Sequence, residues 1–226
     1  MTKTKPWNYS HRPLISYDTE EWFIEARKYL NKRFPPILNK LLNIFRYVEL
    51  DPFNALSFSY EFSSLLRDIG GTFSSVLDYM VKGHNNLSRE QRLNIDSYRI
   101  FLNDEINNLE GIAIYLNVDF DEKIIFPFEG FSNEQILSVW WNAYNDVKHL
   151  DIYTIKKGCL SNVLYSFSAL SVLQDCMTRP SLWGQGVVNP LIIDIMEYRT
   201  EIDVMDEQDH YEKELTKGAN IFPRAL

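Results

Sequence analysis

Between Leu56 and Met80, apolar side chains recur at three- and four-residue intervals: Leu56, Tyr60, Phe62, Leu65, Leu66, Ile69, Phe73, Val76, Leu77 and Met80. That spacing lays them along one stripe of a 3.6-residue helix, which must be buried against other elements. A strand alternates with period two and would scatter the same residues over both faces. Gly70-Gly71 interrupts the stripe. Each glycine costs a helix about 1 kcal/mol relative to alanine, so the pair predicts a kink or a close helix–helix approach.

The same period recurs on both sides. Trp22, Ala26, Tyr29 and Leu30 follow Asp18, Glu20 and Glu21, acids that suit a helix amino terminus. Pro35-Pro36 is expected to break or kink this helix, with Ile37, Leu38, Leu41, Leu42, Phe45 and Val48 carrying the stripe on to about Glu49. Asp51-Pro52 is a stop-and-start signal. Gly83 to Leu87 reads as a loop, and Ser88 to about Leu109 as a third helix with Leu93, Ile95, Tyr98, Phe101, Leu102 and Ile106 inward.

The pattern then changes. Ile112, Ile114, Leu116 and Val118 alternate, and Ile124-Ile125-Phe126 is bounded by Pro127 and Gly130. A short extended or β-hairpin-like excursion around 111–130 follows from that alternation. Ser132 and Gln135 form a capping box that starts a helix near Asn133, and a last helix runs from Cys159 to about Met177. With only 9 Gly and 9 Pro, the chain lacks the turn residues of an all-β protein. The expected fold is all-α: an antiparallel helical bundle with that one excursion.

Residues 1–17 read as an irregular lead-in, 18–178 as the helical domain and 179–226 as a tail. Arg179-Pro180, Trp183-Gly184-Gln185-Gly186 and Pro190 mark the boundary. Leu191, Ile192, Ile195 and Met196 suggest a short docking helix, and an acidic stretch from Asp203 to Glu214 follows it. No apolar run approaches the roughly 20 residues that cross a bilayer, and the basic amino terminus has no apolar stretch behind it. A cytoplasmic protein without membrane contact is expected. Cys159 and Cys176 fall on one helical segment, about 25 Å apart at 1.5 Å per residue, too far for a disulfide; both are expected to be reduced core thiols.

The net charge of −8 argues against a broad basic face for a long nucleic acid. Much of the acid sits in the tail, which leaves local contacts with nucleic acid open. His11, His84, His149 and His210 never approach metal-ligand spacing, and no phosphate loop, nucleophile elbow or calcium loop is present, so neither metal nor cofactor is expected. Glu61 with Arg67, and Asp104 or Glu105, are candidate partners from neighbouring helices for a polar site on the Trp140–His149 segment, with surface or inter-helix ion pairs as the favoured reading.

The segment Trp140 to His149, Trp-Trp-Asn-Ala-Tyr-Asn-Asp-Val-Lys-His, holds the candidate site. On a helix, Asn145 and His149 share a face with Trp141, while Tyr144 and Lys148 share the neighbouring face with Trp140. Two readings stay open. In one, Trp140, Tyr144 and Val147 are core, and Asn145 and His149 tie helix ends together by hydrogen bonds. In the other, Asn145 and His149 line the edge of a groove and Lys148 supplies positive charge for a phosphate.

The pattern Trp-Trp-x-x-Tyr-Asn-x-x-Lys-His, after an excursion ending Pro127-Phe128, resembles the HEPN-type helical proteins of bacteria over roughly Asp18 to Met177. The resemblance implies a helical bundle, commonly a homodimer, of toxin–antitoxin or phage-defence systems. Many such proteins are metal-independent ribonucleases with an Arg, four to six residues, then His. His149 matches the motif's His and Asn145 its polar residue. Tyr144 stands in the place of the Arg, and Tyr cannot act there as a cation. Two functions are therefore carried forward. One is RNA or nucleotide binding, including metal-independent endoribonuclease action, with His149 and Asn145 catalytic and Lys148, Tyr144 and Trp141 contacting substrate. The alternative is a non-catalytic, antitoxin-like interaction subunit that binds a protein partner through its acidic tail.

Overall fold

The computed structural model of the chain describes residues 14, 17–106, 109–118, 121–131, 139–149, 154–177 and 196–199. Five helices carry the core: α1 (Glu21–Ile44), α2 (Tyr60–His84), α3 (Ile95–Glu105), α4 (Val139–Lys148) and α5 (Leu160–Met177). The fold is an all-α bundle. Beside it lies a small antiparallel sheet of β1 (Ala113–Val118), β2 (Asp121–Ile125) and β3 (Met196–Arg199), in the order β2-β1-β3.

α2 is the long helix expected from its stripe, with Phe62, Leu65, Leu66, Ile69, Phe73, Val76, Leu77 and Met80 buried. Its start is set by Ser59, whose side chain accepts from the Phe62 N–H at 3.1 Å. Leu56 and Tyr60, expected on the stripe, precede the second helical turn and stand in solvent. The helix ends at His84, beyond the expected Gly83 boundary, where Asn86 adopts a left-handed conformation (φ 52°) and the Leu87 N–H reaches back to the Lys82 carbonyl at 2.9 Å. Gly83 stays helical, and Trp22 packs where a Cβ would be.

α1 runs through Pro35-Pro36 without a break. The two prolines remove backbone donors from its interior, a cost of about 3 kcal/mol or more. Burial of Phe34, Ile37, Leu38 and Leu41 against the rest of the bundle offsets that cost; the Phe34 ring meets Phe167 of α5 at 5.4 Å. The helix stops at Ile44 rather than near Glu49. α3 is shorter than expected, because Asn94 caps it by accepting from the Ser97 N–H at 3.1 Å. Tyr98, Phe101, Leu102 and Ile106 are buried as expected, and Leu93 and Ile95 are half-buried.

The excursion is a hairpin with Ile114 opposite Ile125, both fully buried. β3 adds a strand from the tail to the free edge of β1. Of the expected docking helix, residues 189–195 lie outside the described residues, and Met196 belongs to this strand. The Ser132–Gln135 capping box, the boundary signals from Arg179 to Pro190, His11, His210 and the acidic stretch also lie outside them. α5 is buried on every side except at Gln174, which suits its nearly continuous apolar character. Cys159, just before α5, and Cys176 within it are buried and are not joined in a disulfide.

Candidate functional site

α4 is positioned by its aromatic residues. The Trp140 indole is 1% exposed, donates Nε1–H to the Pro127 carbonyl at 2.9 Å and meets Phe73 edge-on at 5.2 Å. That bond ties the end of the excursion to the helix carrying the motif. Trp141 packs on Phe73, Tyr98 and Tyr144 at ring separations of 6.1, 6.2 and 5.2 Å. Tyr98 donates its hydroxyl to Asp78 at 3.4 Å, and its phenol is held well above the ordinary tyrosine range, first by burial and then by the Asp78 charge. Tyr144 lies against Gly70, its ring occupying the place of a Cβ.

These contacts sort the candidate residues. Trp141 and Tyr144 are 6% and 5% exposed, so their rings serve the core. Asn145 is half-buried, and Lys148 and His149 are exposed at the carboxyl end of α4. The Lys148 ammonium sits 5.7 Å from the centre of the Tyr144 ring, consistent with their expected common face. Among the described residues, the side chains of Asn145 and His149 form no hydrogen bond that would tie helix ends together. Their polar groups are left unused by the described core.

A further cation comes from a different helix. Phe73 meets Trp140 and Trp141, and Gly70 meets Tyr144, so α2 and α4 run antiparallel. Arg67 lies one turn before Gly70 on the same side of α2, level with the last turn of α4. One turn earlier again, the Ser63 hydroxyl donates to the Ile155 carbonyl at 3.4 Å, in the 3₁₀ turn Ile155–Lys157 between α4 and α5. Arg67 is thus placed between the end of α4 and that turn. It is half-buried and makes no ion pair among the described residues, with Glu61 or any other acid. Lys156 of the 3₁₀ turn is exposed, and Thr154 fixes the turn to α4 by donating to the Asp146 carbonyl at 3.2 Å.

The packing of α2, α4 and the 3₁₀ turn therefore places Arg67, Lys148, His149 and Lys156 at the same end of the bundle, with Asn145 one turn back on α4 and the exposed carboxylate of Asp146 among them. Guanidinium and ammonium groups bind phosphate, and an imidazole transfers protons near neutral pH. The sequence identified His149, Asn145 and Lys148 from one helix. It named Arg67 only as a possible partner from a neighbouring helix and favoured an ion pair for it, because its place depends on the register of α2 against α4.

No protein-family model, curated protein or solved structure matches the chain. Among the described residues no three His, Cys, Asp or Glu side chains converge to hold a metal ion, and no helix is long and apolar enough to cross a membrane.

A second polar cluster joins the lead-in to α2 and α3. His84 lies among the rings of Tyr17, Trp22 and Phe101 at 5.6, 6.2 and 5.4 Å, with Nε2 3.8 Å from Glu105. The Tyr17 hydroxyl donates to the same carboxylate at 2.9 Å. Glu105 thus has inter-helix contacts with the Tyr17 hydroxyl and the His84 ring, whereas Asp104 is exposed with no ion pair among the described residues.

Proposed function

We propose that the chain is a HEPN-like cytoplasmic protein of a defence or toxin–antitoxin system, acting as a homodimer that binds RNA or a nucleotide at the carboxyl end of α4. The observation that carries this reading is that α4 ends in an exposed Lys148 and His149, with Arg67 of α2 and the exposed Lys156 of the adjoining turn at the same end of the bundle, in a protein of net charge −8. Cations concentrated at one place on an acidic chain favour a phosphate group there and disfavour long tracts of duplex. Lys148, Lys156 and Arg67 hold phosphate in this account, and Asn145 orients the bound group. The buried Trp141 and Tyr144 support the helix from below.

If the site cleaves RNA, His149 is the general acid/base, and Arg67 supplies the guanidinium that Tyr144 cannot. A metal-independent cleavage of this kind persists in a chelator. Incubating labelled RNA with the wild type, His149→Ala and Arg67→Gln in EDTA tests it: cleavage by the wild type alone supports the enzyme, and equal cleavage by all three removes both residues from the mechanism.

The runner-up is a non-catalytic interaction subunit. The burial of Tyr144 at the position of the family's Arg favours it, since the motif helix then serves mainly the core. Its test is binding without turnover: RNA or a protein partner captured by a wild type that cleaves nothing.

A further inference from the structure

At the carboxyl end of α2, the last turn of that helix, the 85–94 segment and α3 enclose a groove of about 250 Å³. His84, in its lining, lies about 25 Å along α2 from Arg67 at 1.5 Å per residue, so the groove is separate from the site at the end of α4. Its size falls just under the roughly 300–1,000 Å³ of sites for drug-sized ligands, which leaves room for a smaller molecule.

The lining has two characters. Leu87 and Leu93 of the connecting segment and Ile100 and Phe101 of α3 make part of it apolar. The charged part consists of the carboxylates of Asp104 and Glu105, and no lysine or arginine lines the groove. The Glu105 side chain is only 17% exposed. Its neighbours do not neutralise it outright. The Tyr17 hydroxyl donates to it at 2.9 Å but carries no positive charge, and His84, with Nε2 at 3.8 Å, is a cation only when protonated. Lys82, two residues before His84, is committed elsewhere: its ammonium donates to Asp78 at 2.7 Å and to the Arg89 carbonyl at 2.9 Å. Among the described residues neither carboxylate pairs with a lysine or an arginine.

A carboxylate largely withdrawn from water calls for a countercharge, and an apolar wall beside it calls for hydrocarbon. An ammonium group on a short apolar chain supplies both. An anionic ligand would meet like charge, and an uncharged one would cover the carboxylates without compensating them. We propose that this groove binds a small aliphatic amine, its ammonium against Asp104 and Glu105 and its chain along Leu87, Leu93 and Ile100. Because Glu105 also holds Tyr17, the bound amine bears on the join between the lead-in and the bundle. The inference rests on the groove alone and is independent of the RNA-binding reading.

Titration of the full chain with pentylamine, followed by proton–nitrogen correlation spectra, tests the site. At about pH 8 an alkylamine is charged and an ordinary imidazole is neutral, so the probe meets the carboxylates with little competition. The expected result is a saturable shift of the backbone amides of Leu87, Leu93, Ile100 and Glu105, with pentanol and pentanoate leaving them in place. Asp104→Asn and Glu105→Gln are each expected to weaken binding about tenfold, the loss of a hydrogen bond to a charged group. Glu105→Gln keeps an acceptor for the Tyr17 hydroxyl, and Asp104 is exposed and outside the core, so both variants should melt close to the wild type. No saturable shift with pentylamine, an equal shift with pentanol, or unchanged affinity in both variants overturns the proposal.

Discussion

Gly70 of α2 and Tyr144 of α4 are in direct contact, the phenol ring filling the space that a Cβ on residue 70 would occupy. Gly71, the next residue, has nothing within 4 Å of the same position. Adjacent glycines on one helix are thus predicted to respond with opposite signs. Gly71→Ala should stabilise by about 0.5–1 kcal/mol, the helix-propensity gain. Gly70→Ala should destabilise by about 1–3 kcal/mol, as overpacking forces α2 and α4 apart. Urea unfolding of both variants decides it; two changes of the same sign would contradict this packing.

Trp140 links the motif helix to the end of the hairpin through its Nε1–H and the Pro127 carbonyl. Trp140→Phe removes the donor and leaves a buried carbonyl short of its partner, at about 1–3 kcal/mol. Thermal melting should show the loss, and hydrogen exchange should show faster opening at Pro127–Phe131 than in the wild type. Unchanged exchange there would mean that the indole bond does not hold the excursion.

Alkaline pH should weaken the join between the lead-in and the bundle. The Tyr17 phenol is pushed up to about 12, first by burial, then by its hydrogen bond to Glu105 and that carboxylate's charge. Burial likewise raises Tyr165 to about 12. A proton held more tightly in the folded state adds stability that is whole below the ordinary tyrosine value of about 10 and lost as pH rises through the raised value. Stability measured from about pH 9 upward should fall across this window, and Tyr17→Phe should remove part of the fall. An identical pH profile in Tyr17→Phe would show that this phenol is not coupled to folding.

Both cysteines should be inert in the native protein. Cys159 and Cys176 are buried, and burial raises the thiol of Cys159, which suppresses the reactive thiolate. A thiol reagent should label neither until denaturant opens the bundle. Prompt labelling of Cys159 would place the start of α5 in solvent.

The helices were legible because the apolar period survives in each: the stripe of α2 and the inward residues of α3 emerged nearly whole. Their ends were less so. Asn94 and Ser59 cap at single residues, and nothing in the apolar pattern distinguishes Leu56 or Tyr60, both exposed, from the buried Phe62. Pro35-Pro36 reads as a break because local propensity opposes a helix there; contacts such as Phe34 with Phe167 are long-range and invisible to a local window. The site divides the same way. His149, Asn145 and Lys148 lie on one helix and follow from four-residue spacing, whereas Arg67 joins them only through the packing of α2 on α4.

The central claim is that these residues form one phosphate-binding site. Fluorescence anisotropy of a labelled single-stranded RNA, titrated with the wild type, Arg67→Gln and Lys148→Gln at low and moderate salt, measures it most directly. The account predicts wild-type binding that weakens with salt, and a loss of affinity with a shallower salt dependence in each variant, as expected when a phosphate contact is removed. Variants that bind as tightly as the wild type, or a wild type that binds no RNA at low salt, would contradict it.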